Sequence, residues 1–98
     1  MNLLFVCNQG RHRSKTAVKL FSGRFAGIYS EDNPLTKELL VWADKICVME
    51  EHQRTFIANN FPKEYLQKKI VNLEIPDIYQ YDQKKLKETL KKKMNNNN

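Results

Sequence analysis

Cys7 is followed by five residues and then Arg13-Ser14, in the stretch Cys7-Asn8-Gln9-Gly10-Arg11-His12-Arg13-Ser14. A thiol, a guanidinium and a hydroxyl at this spacing suit phosphoryl transfer. Inward-pointing backbone N–H groups of a tight loop, set beside a helix N-terminus, form a cradle for a tetrahedral oxyanion. Arg13 adds a planar fork that grips two oxygens at once, which a lysine does not. The same positive potential favours the thiolate of Cys7, and the thiolate is the nucleophile. Gly10 falls mid-loop, where the chain curls tightly and a positive φ is expected. Asn8, Gln9, Gly10, Arg11, His12 and Arg13 are therefore the expected phosphate-binding residues. The competing reading is a structural cysteine that ends a buried strand, followed by an exposed basic turn. A nucleotide-binding Walker loop is a second rival, because Gly10 is followed by Lys15-Thr16. Its spacing is one residue short, Ser14 stands in place of the second glycine, and no strand acid for magnesium is evident.

Such a loop needs a strand before it and a helix after it. Residues 2–7 are a continuous apolar run stopped by a polar turn, the pattern of a short, fully buried strand. From Ser14 to about Ser22 the period becomes helical, with Ala17, Leu20 and Phe21 on one face. Phe25–Tyr29 reads as a weaker strand. Asn33-Pro34 reads as a helix start, with Leu35, Leu39 and Leu40 sharing a face up to Trp42. Residues 46–49 form a third strand, 50–60 a helix with Phe56 and Ile57 inward, and 70–73 a fourth strand. Leu86, Leu90 and Met94 give a narrow-faced last helix. Strands alternating with helices predict an α/β, Rossmann-like single domain: a four-stranded parallel sheet, helices on both faces, and the phosphate loop after strand 1. Ligands of such sheets bind beyond the carboxyl ends of the strands. Residues 1–94 are the expected domain, and Asn95–Asn98 an expected disordered tail.

At 98 residues, 41% hydrophobic and 29% charged, the chain suits one globular domain. No apolar run reaches bilayer-spanning length, and the opening apolar stretch is too short for a signal peptide. Two cysteines, Cys7 and Cys47, make neither a disulfide framework nor a four-ligand zinc site, so a reducing cytoplasm is the expected compartment. Residues 1–30 carry +5 and no acid, residues 31–81 carry −3, and residues 82–98 carry +4. The basic last helix reads first as a solvated face. A diffuse attraction to nucleic acid is the alternative, without an accompanying nucleic-acid motif.

Three ordered blocks resemble the low-molecular-weight protein tyrosine phosphatases, most closely their small microbial members. The first is the loop ending in Arg13-Ser14. The second is Asn33-Pro34 followed by Trp42-Ala43-Asp44-Lys45-Ile46-Cys47-Val48-Met49. The third, Ile75-Pro76-Asp77-Ile78-Tyr79, is similar to that family's late Asp-Pro-aromatic loop. The resemblance implies Cys7 as nucleophile, Arg13 as phosphoryl binder, Ser14 as hydroxyl donor to the thiolate, and Asp77 as general acid. It implies no cofactor and no metal. His12 stands where many members have a second cysteine, Ile78 where proline is usual, and the chain is shorter around its second strand.

Tyr79 and Tyr81 flank the presumed acid and are candidate aromatic walls of a substrate pocket; ordinary half-buried loop aromatics are the competing reading, and the favoured one for Tyr81. Asp82 is an alternative acid that reads more naturally as the N-cap of the last helix. Glu51 and His52 read as helix-start residues, Cys47 as a packed core thiol, and Trp42 as a packing residue. The leading expectation is a phosphotyrosine-type monoesterase acting on a phosphotyrosine protein. The alternatives are a phosphatase of small-molecule or nucleic-acid phosphates, a phospho-ligand binding module without turnover, and an arsenate reductase-like thiol enzyme.

Overall fold

Alternate residues of each central strand serve opposite faces of the sheet, which is why these strands read as unbroken apolar runs. In a computed structural model that describes residues 1–96, strand β1 (Leu3–Cys7) sends Leu4 and Val6 to one core and Phe5 and Cys7 to the other. Strand β2 (Arg24–Gly27) and strand β3 (Lys45–Val48) flank it, and strand β4 (Lys69–Asn72) lies outside β3, all parallel in the order β2-β1-β3-β4. Helix α1 (Arg13–Phe21) and the last helix, α5 (Lys84–Asn96), cover the Phe5 face. Helices α2 (Lys37–Trp42), α3 (Glu51–Asn60) and α4 (Pro62–Gln67) cover the Leu4 face.

This strand order places a topological switch between β1 and β3. The chain leaves β1 toward β2 and leaves β3 toward β4, so a crevice opens between the two loops at their carboxyl ends. Cys7 ends β1 on one side of that crevice, and Glu50 begins α3 on the other.

Three expectations need correction. Asn33-Pro34 does not start α2: Pro34 bridges Gly27 as a short extension of the sheet, and Thr36 caps the helix by accepting the Leu39 N–H at 3.2 Å. Helix α4 was not expected, because six residues are too few to show a period; Pro62 in its first turn and a buried Glu64 mark it. The last helix runs on to Asn96 rather than ending at residue 94, because buried Met94 anchors its final turn. Asn97 and Asn98 of the expected tail lie outside the described residues. Among the described residues, no helix is long and apolar enough to cross a membrane.

Candidate active site

The loop from Asn8 to His12 curls around the Cys7 sulfur. Gly10 donates its backbone N–H to Cys7 Sγ at 3.2 Å, and Ser14 Oγ lies 3.0 Å from the same sulfur. Gly10 holds a φ of +65°, the left-handed conformation the curl calls for. The loop also rests, backbone to backbone, on the two residues just past β2: Ile28 N–H bonds the Cys7 carbonyl at 3.0 Å and Tyr29 N–H the Asn8 carbonyl at 2.8 Å. Gly27 permits this approach, since a Cβ there would stand 2.4 Å from the Gln9 carbonyl carbon.

Arg13, at the first turn of α1, is only 1% exposed. Its Nη1 donates to the Ile75 carbonyl at 2.8 Å and also to Glu50 Oε1. Its Nη2 stands 3.7 Å from Asp77 Oδ2. Cys7, Asn8, Gln9, Arg11, His12, Arg13 and Asp77 together line one cavity of about 240 Å³. Asp77 itself is about half exposed at the cavity rim, just beyond Ile75, whose N–H is fixed to the Met49 carbonyl at 2.8 Å. A thiol, two guanidinium groups and a carboxylate thus line one space large enough for a phosphoryl group. Of the expected phosphate-binding residues, all but Gly10 line the cavity, and Gly10 faces the sulfur instead.

The aromatic walls are corrected. Neither Tyr79 nor Tyr81 lines the cavity. Tyr79 packs on the apolar core beneath α5, and Tyr81 turns outward, with the Lys15 ammonium 4.8 Å from its ring centroid. What Tyr81 contributes is backbone, donating its N–H to His12 Nδ1 at 3.1 Å. Asp82 is corrected too. Helix α5 starts at Lys84, with the Gln83 carbonyl accepting the Lys87 N–H at 3.0 Å, so Gln83 occupies the capping position. Asp82 adopts a left-handed φ of +61° and pairs with Lys19 at 2.6 Å and Lys87 at 3.5 Å. It does not reach the cavity.

Two residues at the start of α3, its N-cap Glu50 and Gln53 of its first turn, were missed. Glu50 and Gln53 close a reciprocal capping box at the start of α3. Gln53 is fully buried; its Oε1 accepts the N–H groups of Met49 at 2.7 Å and Glu50 at 3.0 Å, and its Nε2 donates to Asn8 Oδ1 at 3.1 Å. The signal was a Glu-x-x-Gln spacing directly after a strand. His52, read as a helix-start residue, reaches the same Asn8 oxygen at 2.5 Å. Cys47 is fully buried in the core, and burial pushes its thiol up to about 11, so it stays protonated at neutral pH. Trp42 packs half-buried on the Leu4-side core under the Arg24 guanidinium, 4.4 Å from its ring centroid.

No family model matches the chain, and no curated protein is similar to it in sequence. Solved structures are similar in fold. The solution structure of a low-molecular-weight protein tyrosine phosphatase from Bacillus subtilis superposes with a TM-score of 0.74, at 21% identity over 98% of each chain. The tyrosine phosphatase Wzb from Escherichia coli K30, in complex with phosphate, gives 0.76 at 18% identity, over 97% of this chain and 94% of that one. The YwlE arginine phosphatase from Geobacillus stearothermophilus gives 0.66 at 19% identity, over 96% and 86%. The α/β architecture expected from the sequence is the architecture these proteins share.

Proposed function

We propose that the chain is a cysteine-dependent phosphomonoesterase of the protein tyrosine phosphatase type. The observation that carries this is the Cys7 sulfur held between the Gly10 N–H and Ser14 Oγ, in the cavity that Arg13 and Asp77 also line. In the first step the Cys7 thiolate attacks phosphorus, a sulfur–phosphorus bond forms, and the ester P–O bond breaks. Asp77 protonates the departing oxygen. In the second step Asp77, now a carboxylate, takes a proton from water as the water oxygen attacks phosphorus. The S–P bond then breaks, and the Ser14 hydroxyl steadies the leaving thiolate. Loop amides and the Arg13 fork hold the equatorial oxygens throughout. The fold it shares with tyrosine phosphatases supports the reading, and a reducing cytoplasm, where Cys7 remains a thiol, is its setting. The full burial of Cys47 in the sheet core, which disfavours its thiolate, argues against a relay of oxidation through a second cysteine, as an arsenate reductase-like reaction requires.

A specific observation favours a second substrate class. No Phe, Tyr or Trp side chain among the described residues lines the cavity, whose lining includes Gln9, Arg11 and His12 beside Asp77. Such a lining fits small-molecule or nucleic-acid phosphates as readily as phosphotyrosine, and one protein of the same fold is described as an arginine phosphatase.

The test is turnover of p-nitrophenyl phosphate by the wild type and Cys7→Ser, followed by phosphotyrosine, phosphoserine, phosphoarginine and 3′- or 5′-phosphorylated RNA. The wild type is expected to turn over in the presence of EDTA. Cys7→Ser is expected to lose essentially all turnover while still binding phosphate. Full activity in Cys7→Ser, or complete loss with EDTA, overturns the cysteine mechanism.

A further inference from the structure

Arg13 is the bulkiest of the fully buried side chains, and one end of its guanidinium is already committed. Nη1 spends its two N–H groups on the Ile75 carbonyl and Glu50 Oε1. A bidentate grip on an oxyanion needs two parallel N–H groups from one edge of the guanidinium. With Nη1 occupied, the Nε–Nη2 edge, whose Nη2 stands 3.7 Å from Asp77 Oδ2 without a hydrogen bond to it, is the one left for a ligand.

Glu50 is not a loosely swinging partner. As N-cap of α3 it accepts the Gln53 backbone N–H, while the Gln53 side chain closes back on the Glu50 N–H at 3.0 Å. Gln53 is itself buried and tied across the crevice to Asn8 of the loop at 3.1 Å. The carboxylate that orients Arg13 is thereby fixed to the β3–α3 turn and to the loop that surrounds Cys7. Electrostatics pulls the other way. A carboxylate beside the guanidinium lowers the positive potential that draws a phosphate dianion in. Glu50 therefore weakens attraction for the ground-state anion while fixing the fork that meets the equatorial oxygens of a five-coordinate phosphorus. Only interactions stronger in the transition state than in the ground state raise the rate of the chemical step.

We infer that Glu50 is a positioning residue for Arg13, held by Gln53, and that it favours the trigonal-bipyramidal state over the tetrahedral one. This rests on reading the loop as a phosphoryl-transfer site. Vanadate imitates the trigonal-bipyramidal geometry and inorganic phosphate the tetrahedral one, so the ratio of their affinities reports the effect directly. Glu50→Gln keeps an acceptor at the N-cap and removes the charge. It is expected to weaken vanadate about tenfold and to lower kcat by a similar factor. Phosphate affinity should stay level or tighten by up to about threefold. Glu50→Asp keeps the charge with a shorter reach and should fall between wild type and Glu50→Gln in that ratio; it carries the test alone if Glu50→Gln does not fold. In an Arg13→Lys background, Glu50→Gln should change vanadate affinity less than about twofold, because the fork it positions is gone.

Equal weakening of both anions, an unchanged ratio, or the full Glu50 effect persisting with Lys at position 13 each overturns the inference. A wild type that binds both anions with this ratio dependence yet hydrolyses no ester would sink the phosphatase reading alone. Turnover with a Glu50-independent ratio would do the reverse.

Discussion

At the residue scale the cavity sets the Cys7 thiol, the Arg13 guanidinium and the Asp77 carboxylate, with Arg11 beside them, around a space for a phosphoryl group, and the first three each invite a different substitution. Arg13→Lys keeps a positive charge but not the fork, and a buried ammonium cannot satisfy the Ile75 carbonyl, Glu50 and an oxyanion with the same geometry. A loss of rate on the order of a hundredfold or more is expected, comparable to removing one main transition-state donor; a purely KM-based change would remove Arg13 from the transition state. Asp77 is tested through the leaving group. An acid matters most when the departing oxygen is a poor leaving group, so Asp77→Asn should cripple phosphotyrosine hydrolysis more than that of an ester with a highly acidic phenol. The basic limb of the pH–rate profile should flatten in the same variant, and equal losses on both esters would remove Asp77 from the acid's role. Cys7, Arg13 and Ser14 were legible because they fall within eight consecutive residues between strand and helix. Glu50 was not, because it lies 37 residues from Arg13 and meets it only once β3 has paired with β1.

At the element scale, the end of β2 is the floor on which the loop rests. A Cβ at Gly27 would stand 2.4 Å from the Gln9 carbonyl carbon and 2.5 Å from the Gly10 nitrogen, and both are backbone atoms that cannot swing aside. Gly27→Ala is therefore expected to cost about 1–3 kcal/mol of stability, in the range of overpacked interiors. It should also weaken phosphate binding, since the loop must lift away from β2 to make room. Denaturant unfolding and phosphate titration of the same variant check both halves, and wild-type values for each would show that the loop yields freely. The alternation of strands and helices was readable because apolar runs and helical faces are local patterns. The beginning of α2 was not, because Pro34 suits a first helical turn and a sheet-edge bridge alike, and the Gly27 contact decides between them. The outward turn of Tyr81 was equally hidden, since it depends on Lys15 of α1 finding its ring.

At the scale of the whole molecule the excess of +6 is concentrated in the first thirty residues and the last helix, so α1 and α5 bring like charge to one face of the sheet. Asp82 sits between them, bonded to Lys19 of α1, paired with Lys87 of α5, and donating its own N–H to Thr16 Oγ1 at 2.8 Å. The hydrogen bond from Lys19 holds the Asp82 carboxyl below its ordinary value, and the same bond raises Lys19. The lowered carboxyl contributes stability above its unfolded value of about 3.9 and loses it as pH falls through the lower folded one. The raised ammonium contributes below about 10.5 and loses its contribution as pH rises through its higher folded value. Asp82→Asn makes a clean probe, because asparagine tolerates the left-handed φ of +61° that this position adopts. Its Tm should lie modestly below that of the wild type across the neutral range. The gap should close in acid below about pH 4 and in alkali only above about pH 10.5, and it should shrink with added salt. Because Asp82 does not reach the cavity, the dependence of turnover on the leaving group should match the wild type. A Tm gap that persists unchanged to pH 2 would mean that the backbone turn, not the ion pairs, joins α1 to α5. A leaving-group trend altered in Asp82→Asn but not in Asp77→Asn would move the acid to Asp82 and leave Cys7 and Arg13 where they are.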